Sequence, residues 1–363
     1  MTRRQEIVDC LLGEIRAGQY AVRGSFPSER QLMERFGTAR GTVRSVLDEL
    51  GNAGLLLRRR GSGTFVKRSA AAIVSKVFAI VSQDGTYSFY SRITSGIVKG
   101  IKARYGEAPT ITMDLGEGEV NARRRIARTE EFFRLCVREK VSGVFFQPLQ
   151  FVKDGERINR RLLSVLERAR IPVVLFDSDI VPPPRRSEYD LAASDGVSAG
   201  YELARRLIES GSRWIVFVSK PDPAMTALGR VHGVERAVRE AGLRWGASNL
   251  VFLNPFSRRE VERAFCGSHR PDGIVAMTDS VALPIRDNLS ALRLSIPKDV
   301  RLVCFDGDAS DRRFDLPTML QNCEAIGRSA AALMLSRLDN PELPPRQLLL
   351  SMSLRAMGLS ATR

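Results

Sequence analysis

A chain of 363 residues that is 44% hydrophobic and 27% charged can bury sizeable cores and is too apolar to be disordered. Its length suits two or three domains. No apolar run approaches the ~20 residues that span a bilayer. Glu6, Asp9, Glu14 and Arg16 interrupt the stretch where a secretory core would lie. Five scattered cysteines with no C-x-x-C predict reduced thiols rather than disulfides or zinc ligands, so a cytoplasmic, membrane-free protein is expected. The net charge of +15 favours polyanionic partners. Residues 1–68 carry thirteen Lys/Arg against seven Asp/Glu, a net of +6, leaving +9 for the other 295 residues. The excess is about three times denser in the first segment, as a nucleic-acid module requires.

In chain order, Ile7, Val8, Leu11, Leu12 and Ile15 recur at helical spacing and predict a first amphipathic helix ending near Gly18. The stretch 24–27 breaks the chain. Ser28 then opens a second helix as a capping box with Gln31, followed by Leu32 and Phe36, and Gly37 closes it. Thr38 is the expected cap of a third helix over 39–52, with Val43, Val46, Leu47 and Leu50 as its buried stripe. Two short helices across a glycine turn form a helix-turn-helix. Arg40 and Arg44, one turn apart with Thr42 between them, would present two bidentate donors matching the O6/N7 edge of guanine. An apolar strand, the cationic tip Arg58–Arg60, the turn Gly61-Ser62-Gly63 and a second short strand predict a hairpin whose glycines let the backbone approach a phosphate. The small residues after position 68 read as a linker, giving a head at 1–68, a linker at 69–76 and a body at 77–363.

From position 77 strands and helices alternate. Continuous apolar strands are predicted at 77–82, 110–114, 143–147, 172–177, 214–219, 250–253, 273–277 and 301–305. Helices are predicted at 93–104, 121–139, 158–169, 199–210, 230–241, 258–265, 280–292 and 326–338. This is the α/β pattern of doubly wound parallel sheets, and eight strands divide into two such sheets with a cleft between them. One subdomain is expected at about 77–180 with 320–340, the other at about 186–318 with 344–358.

Open α/β sheets bind ligands beyond the carboxyl ends of their strands. There the sequence places Ser82, Gln147, Asp177, Asp279 and Asp306. Tyr87, Phe89 and Tyr90 follow the first strand and could stack on a sugar or simply pack at a helix start. His232 is expected to pack on the sheet. The pairs Asp177/Asp179 and Asp306/Asp308 would suit a haloacid-dehalogenase-like phosphatase with magnesium. Its catalytic strand should open the domain, whereas both pairs come late. Two histidines and no G-x-S-x-G or phosphate-binding loop leave little for other hydrolase or kinase chemistry. A pyridoxal-phosphate enzyme would need a longer chain and a lysine after a strand, where Lys220 is followed by Pro221. No catalytic residue, metal or cofactor is therefore expected.

Two resemblances complete the reading. Residues 24–66 resemble the GntR-family winged-helix signature: P-S-E-R, R-x-T-V-R, L-x-x-x-G and G-x-G-T-F-V all stand in register. The resemblance implies that Arg30, Arg40 and Arg44 contact operator DNA, with Thr42 and the wing residues Arg60, Gly61, Ser62 and Gly63 on its backbone. Residues 76–358 resemble the LacI/GalR effector domain, itself similar to periplasmic sugar-binding proteins of type I. That likeness rests on V-S-G-V-F-F, I-P-V-V-L-F-D, G-R-V-H-G-V, D-G-I-V-A-M-T-D and L-P-T-M-L-Q-N. It implies effector contacts at Asp177, Arg230, Asp279 and Gln321. Arg forks and Asp acceptors also suit vicinal sugar hydroxyls. The implied protein is a homodimeric regulator with operator double-stranded DNA and a small-molecule effector, a sugar or sugar derivative, as partners. The linker lacks the Leu-bearing hinge helix of LacI-type repressors.

Overall fold

The computed structural model describes residues 3–16, 19–20, 25–52, 55–59, 63–66, 76–82, 88–106, 108–114, 121–221, 225–267, 270–306 and 315–355. Most of the expected linker lies outside the described residues. The chain divides into two compact units.

The first unit contains α1 (Arg3–Arg16), β1 (Ser25–Phe26), α2 (Glu29–Phe36), α3 (Arg40–Asn52), β2 (Leu56–Arg59) and β3 (Gly63–Val66). Its core is the apolar stripe read from the sequence: Ile7, Leu11 and Ile15 of α1, Leu32 of α2, Val43, Val46, Leu47 and Leu50 of α3, closed by Leu56 and Val66. Leu12 is only partly buried. The capping box forms, with Ser28 Oγ accepting from Gln31 N and the Gln31 side chain accepting from Ser28 N. Gly37 ends α2 in the left-handed region, at φ 56°. Thr38 does not cap α3. The helix begins one residue later than expected, and the Ala39 carbonyl takes the first N–H groups, from Thr42 and Val43. The hairpin pairs Leu56 with Val66 and Arg59 with Gly63, and β1 adds a third strand that the sequence pattern did not disclose. Two residues carry too little periodicity to announce a strand.

The second unit, to which α4 belongs as far as Gly100, runs β4 (Phe78–Ser82), α4 (Ser88–Tyr105), β5 (Thr110–Asp114), α5 (Ala122–Arg138), β6 (Gly143–Phe146), α6 (Gly155–Arg168), β7 (Val173–Phe176), β8 (Asp190–Ser194) and α7 (Gly196–Glu209). It continues with β9 (Ile215–Ser219), α8 (Met225–Glu240), β10 (Leu250–Phe252), α9 (Arg258–Phe265), β11 (Gly273–Ala276), α10 (Asp279–Ala291) and β12 (Arg301–Phe305). The last elements are β13 (Thr318–Leu320), α11 (Cys323–Asp339), β14 (Gln347–Leu350) and β15 (Ser353–Arg355). Two six-stranded sheets result, β14-β8-β7-β6-β4-β5 and β10-β9-β11-β12-β13-β15. All their pairings are parallel except that of β13 with β15. Burial of β4, β6, β7 and β9 along their whole length is what parallel strands covered by helices on both faces require.

The pairing redraws the expected subdomain limits. Asp190–Ser194 and Gln347–Leu350 belong to the first sheet, although both fall in segments assigned to the second. The chain therefore passes between the sheets after Ser194, after Leu320 and after Leu350. Buried Asp190 fixes this arrangement by holding Arg337 of α11 at 2.9 Å and accepting from Arg346 N at 2.8 Å, just before β14. In the second half, α7 and α8 touch backbone to backbone. A Cβ on Gly200 would lie 2.1 Å from the Arg230 carbonyl oxygen, so only glycine lets α8 settle at that height.

Candidate functional site

In the first unit, Arg40 and Arg44 project from the side of α3 opposite its buried stripe, and both are exposed. Arg40 Nε lies 2.9 Å from Glu29 Oε2, an ion pair spanning the helix-turn-helix while the arginine stays 75% exposed. Arg30 is equally open, with Glu34 at 3.3 Å, and Thr42 is half-buried. A groove between α1 and α3 is lined by Arg4, Gly41, Arg44, Ser45, Asp48 and Glu49. Arg4, which the sequence pattern did not single out, pairs there with Glu49. Gly63 opens β3 at φ 103°, a conformation side chains rarely adopt. Arg60, Gly61 and Ser62 lie outside the described residues. Behind this face Glu14 takes hydrogen bonds from Arg35 and Tyr20, and the Arg35 guanidinium holds its carboxyl below the usual range.

In the second unit the chemistry gathers at the carboxyl ends of the strands. Asp177 directly follows β7 and Asp306 directly follows β12. Both are left-handed, at φ 70° and 68°. Such strain costs about 1–3 kcal/mol per residue and collects at functional sites, and Asp is one of the few residues that tolerates it. Each is locked by its own N–H, Asp177 to Ala192 O and Asp306 to Met319 O, both at 3.0 Å.

Arg230, on α8, is nearly fully buried and forks onto Asp306, with Nη1 at 2.9 Å and Nη2 at 3.2 Å. Its Nη1 also donates to Met277 O, and the guanidinium lies over the Phe305 ring, 4.4 Å from the centroid. Gln321 Nε2 donates to Asp306 at 2.6 Å, and its Oε1 accepts from Ser194 Oγ at 2.5 Å. On the other sheet, Gln147 and Gln150 each donate to Asp177 Oδ2 at 3.0 Å. Burial and the neighbouring Asp306 carboxylate push the Asp177 carboxyl up to about 6, against the opposing pull of Arg230. The two carboxylates therefore feel each other.

Of the anticipated ligand residues, Gln147, Asp177, Arg230, Asp306 and Gln321 join this network. Ser82 ends β4 and is buried. Asp279 opens α10, where its carboxylate accepts from Ser280 N at 2.6 Å. Phe89 and Tyr90 form an edge-to-face pair, 4.7 Å apart, in the first turn of α4, and Tyr87 lies outside the described residues. His232 is exposed on α8 rather than packed on the sheet. Gln150 and Ser194 were missed, because a polar residue in a loop or at a strand end carries no periodic signal. A separate cavity of about 590 Å³, lined by Arg286, Arg293, Arg301 and Asp315, opens at the opposite, amino-terminal edge of β12 and β13 and contains none of these residues.

Residues 3–66 match the model of bacterial regulatory proteins of the gntR family, and residues 204–356 match the periplasmic binding protein-like domain. The chain is a DNA-binding transcriptional regulator that joins these two modules. Among similar proteins is the arabinose metabolism transcriptional repressor of Halalkalibacterium halodurans, 26% identical over 87% of this chain and 84% of the relative. The HTH-type transcriptional repressor PurR of Escherichia coli is 23% identical over 79% of this chain and 80% of its own length. The solved complex of the transcriptional regulator CelR with cellobiose covers 99% of this chain and 100% of its own, with a TM-score of 0.64 at 20% identity.

The family matches and the relatives are those of regulators, not enzymes. Asp179, the partner required by a phosphatase reading, is occupied otherwise. Its carboxylate accepts from Ile180 N, Ser187 N and Gln347 Nε2, closing the loop after β7. Asp308 lies outside the described residues. No helix is long and apolar enough to cross a membrane among the described residues.

Proposed function

We propose that this regulator is a cytoplasmic repressor that binds a pseudo-palindromic operator as a homodimer and is controlled by a sugar-like effector held at the facing carboxyl ends of its two parallel sheets. The observation that carries the effector site is the Arg230–Asp306–Gln321 cluster, which lies with Asp177 of the other sheet at the carboxyl ends of the strands. Two left-handed aspartates, one of them held by the Arg230 fork, present acceptors that suit vicinal hydroxyls. Two similar proteins agree in kind: one is a repressor of arabinose metabolism and the other a regulator solved with cellobiose. On the DNA side, Arg40 and Arg44 read base edges, Arg30 and Thr42 contact the backbone, and the wing from Arg60 to Gly63 holds a phosphate.

In operator titrations of the full chain, Arg40→Ala and Arg44→Ala should each weaken binding by about 1–3 kcal/mol. Unchanged affinity in both variants would refute the assignment of α3. The head and the cleft are coupled reciprocally, so a sugar that lowers operator affinity must itself bind more weakly to the operator complex, by the same factor.

A further inference from the structure

We propose, resting on the effector reading above, that the cleft selects an uncharged polyhydroxyl ligand and rejects its phosphorylated or carboxylated derivatives. Among the described residues the charges gathered at these strand ends are the buried Asp177 carboxylate, the partly buried Asp306 carboxylate and the buried Arg230 guanidinium. That guanidinium is already engaged. Its terminal nitrogens reach Asp306 and the Met277 carbonyl, and its face rests on Phe305. A phosphate entering the cleft would have to compete with Asp306 for the same donors.

The other wall is less hospitable still to an anion. Asp177 is 6% exposed, and both glutamine amides converge on its Oδ2. Among the described residues none donates to Oδ1, which leaves an acceptor for an incoming hydroxyl. Among the described residues no cation forms an ion pair with this carboxylate, and Arg230 acts on it only at a distance. In a site of low dielectric an unpaired negative charge repels a second one far more strongly than it would in water. Asp279, partly exposed at the head of α10, adds a third carboxylate at the same edge. Among the described residues the other cations at this end include Arg92 on α4 and Arg123 and Arg124 at the head of α5, all exposed, together with half-buried Lys220 and Arg125. Arg125 is turned to the Gln150 and Phe151 carbonyls, so solvent or these partners weaken their reach. A neutral polyol meets none of these penalties. Its hydroxyls donate to Asp177 Oδ1 and Asp306, and the strain stored at both left-handed aspartates fixes the two acceptors before it arrives.

The test is a thermal-shift and calorimetric comparison on the full chain with matched series. L-arabinose, D-ribose, D-glucose and cellobiose are set against ribose 5-phosphate, glucose 6-phosphate and glucuronate, with inorganic phosphate as an anion control. At least one neutral sugar should bind, and its charged counterpart should bind at least tenfold more weakly. Asp177→Asn, which keeps the shape and tolerates the left-handed backbone, should narrow that ratio severalfold. Tighter binding of a phosphorylated or carboxylated member than of its parent overturns the proposal while leaving the effector cleft intact. An Asp177→Asn protein with an unaltered ratio overturns the role given to this carboxylate. No response to any sugar, neutral or charged, overturns the effector reading and the proposal with it.

Discussion

Asp177 and Asp306 occupy equivalent places in the two sheets, each the residue after a buried parallel strand that ends in phenylalanine, each left-handed, each bonded through its N–H to the next strand. Their surroundings differ. Asp306 faces a guanidinium and an amide, and its side chain retains 16% exposure. Asp177 has only amide donors and almost no solvent. One wall is thus electrostatically satisfied before ligand arrives, and the other holds an uncompensated carboxylate. On the proposed effector reading the difference separates two tasks: the Arg230 wall keeps its geometry, and the Asp177 wall stores free energy that an effector's hydroxyls would release.

Removing the guanidinium breaks this contrast most severely. Arg230→Met should cost about 3–5 kcal/mol of stability, because it strands Asp306 without its buried partner. Urea denaturation would show it. A double variant with Asp306→Asn should recover most of the loss, since the stranded charge goes with its partner. A double variant no more stable than the single one would mean that Arg230 stabilises through packing on Phe305 instead.

The opposite wall should respond with the opposite sign. A carboxyl raised from 3.8 to about 6 binds its proton more tightly in the folded chain than in the unfolded one. Its ionisation therefore erodes stability as pH climbs through that interval and leaves it untouched below. Asp177→Asn should accordingly stabilise the ligand-free protein at pH 8, by up to about 3 kcal/mol from the size of the shift. The gain should shrink to about 0.5 kcal/mol near pH 4, where the folded wild type carries the proton and the unfolded chain is partly ionised. Melting curves at the two pH values decide it, and a variant less stable than wild type at pH 8 would show that Asp177 is compensated after all.

A smaller effect belongs to the helix that carries Arg230. Gly200→Ala forces a methyl against the Arg230 carbonyl, so α7 and α8 must part. Such overpacking costs about 1–3 kcal/mol. It should weaken sugar binding through the Arg230 wall, while the pH dependence contributed by Asp177 persists. Loss of that pH dependence in the variant would mean that the walls do not act separately.

Much of this was legible in the sequence. Asp177 and Asp306 announce themselves because an apolar run such as V-V-L-F or V-C-F admits a charged residue only where the strand ends. The core stripes of α1 and α3 follow from helical spacing, and the Ser28–Gln31 box from two residues alone. Among the strands that proved illegible are Asp190–Ser194, rich in small residues, and Gln347–Leu350, an edge strand whose Leu348 and Leu349 stay exposed. Their sheet membership is set by pairing partners distant in sequence, which local pattern does not carry. The same reason hid Gln150. It reaches Asp177 because Arg125 of α5 donates to the Gln150 carbonyl at 3.0 Å, holding the loop after β6 in place.

The finest test concerns Ser194, the last residue of β8 in the first sheet, whose hydroxyl holds Gln321 where the chain leaves β13 of the second. The bond orients the amide: with Oε1 occupied by a donor, Nε2 is turned to Asp306. Ser194→Ala leaves Oε1 without that donor and should cost about 0.5–1.5 kcal/mol of stability, the net worth of an ordinary hydrogen bond. The functional loss should be distinct in kind. A freed Gln321 amide can rotate away from Asp306, so sugar affinity should fall through the Arg230 wall, and Ser194→Thr, which retains a hydroxyl, should restore it. Because Ser194 and Gln321 both lie where the chain passes between the sheets, the variant should also lessen the factor by which a bound sugar alters operator affinity. Equal loss of sugar binding to free and operator-bound protein, with that factor unchanged, would show that Ser194 only positions Gln321 and carries no signal between the walls.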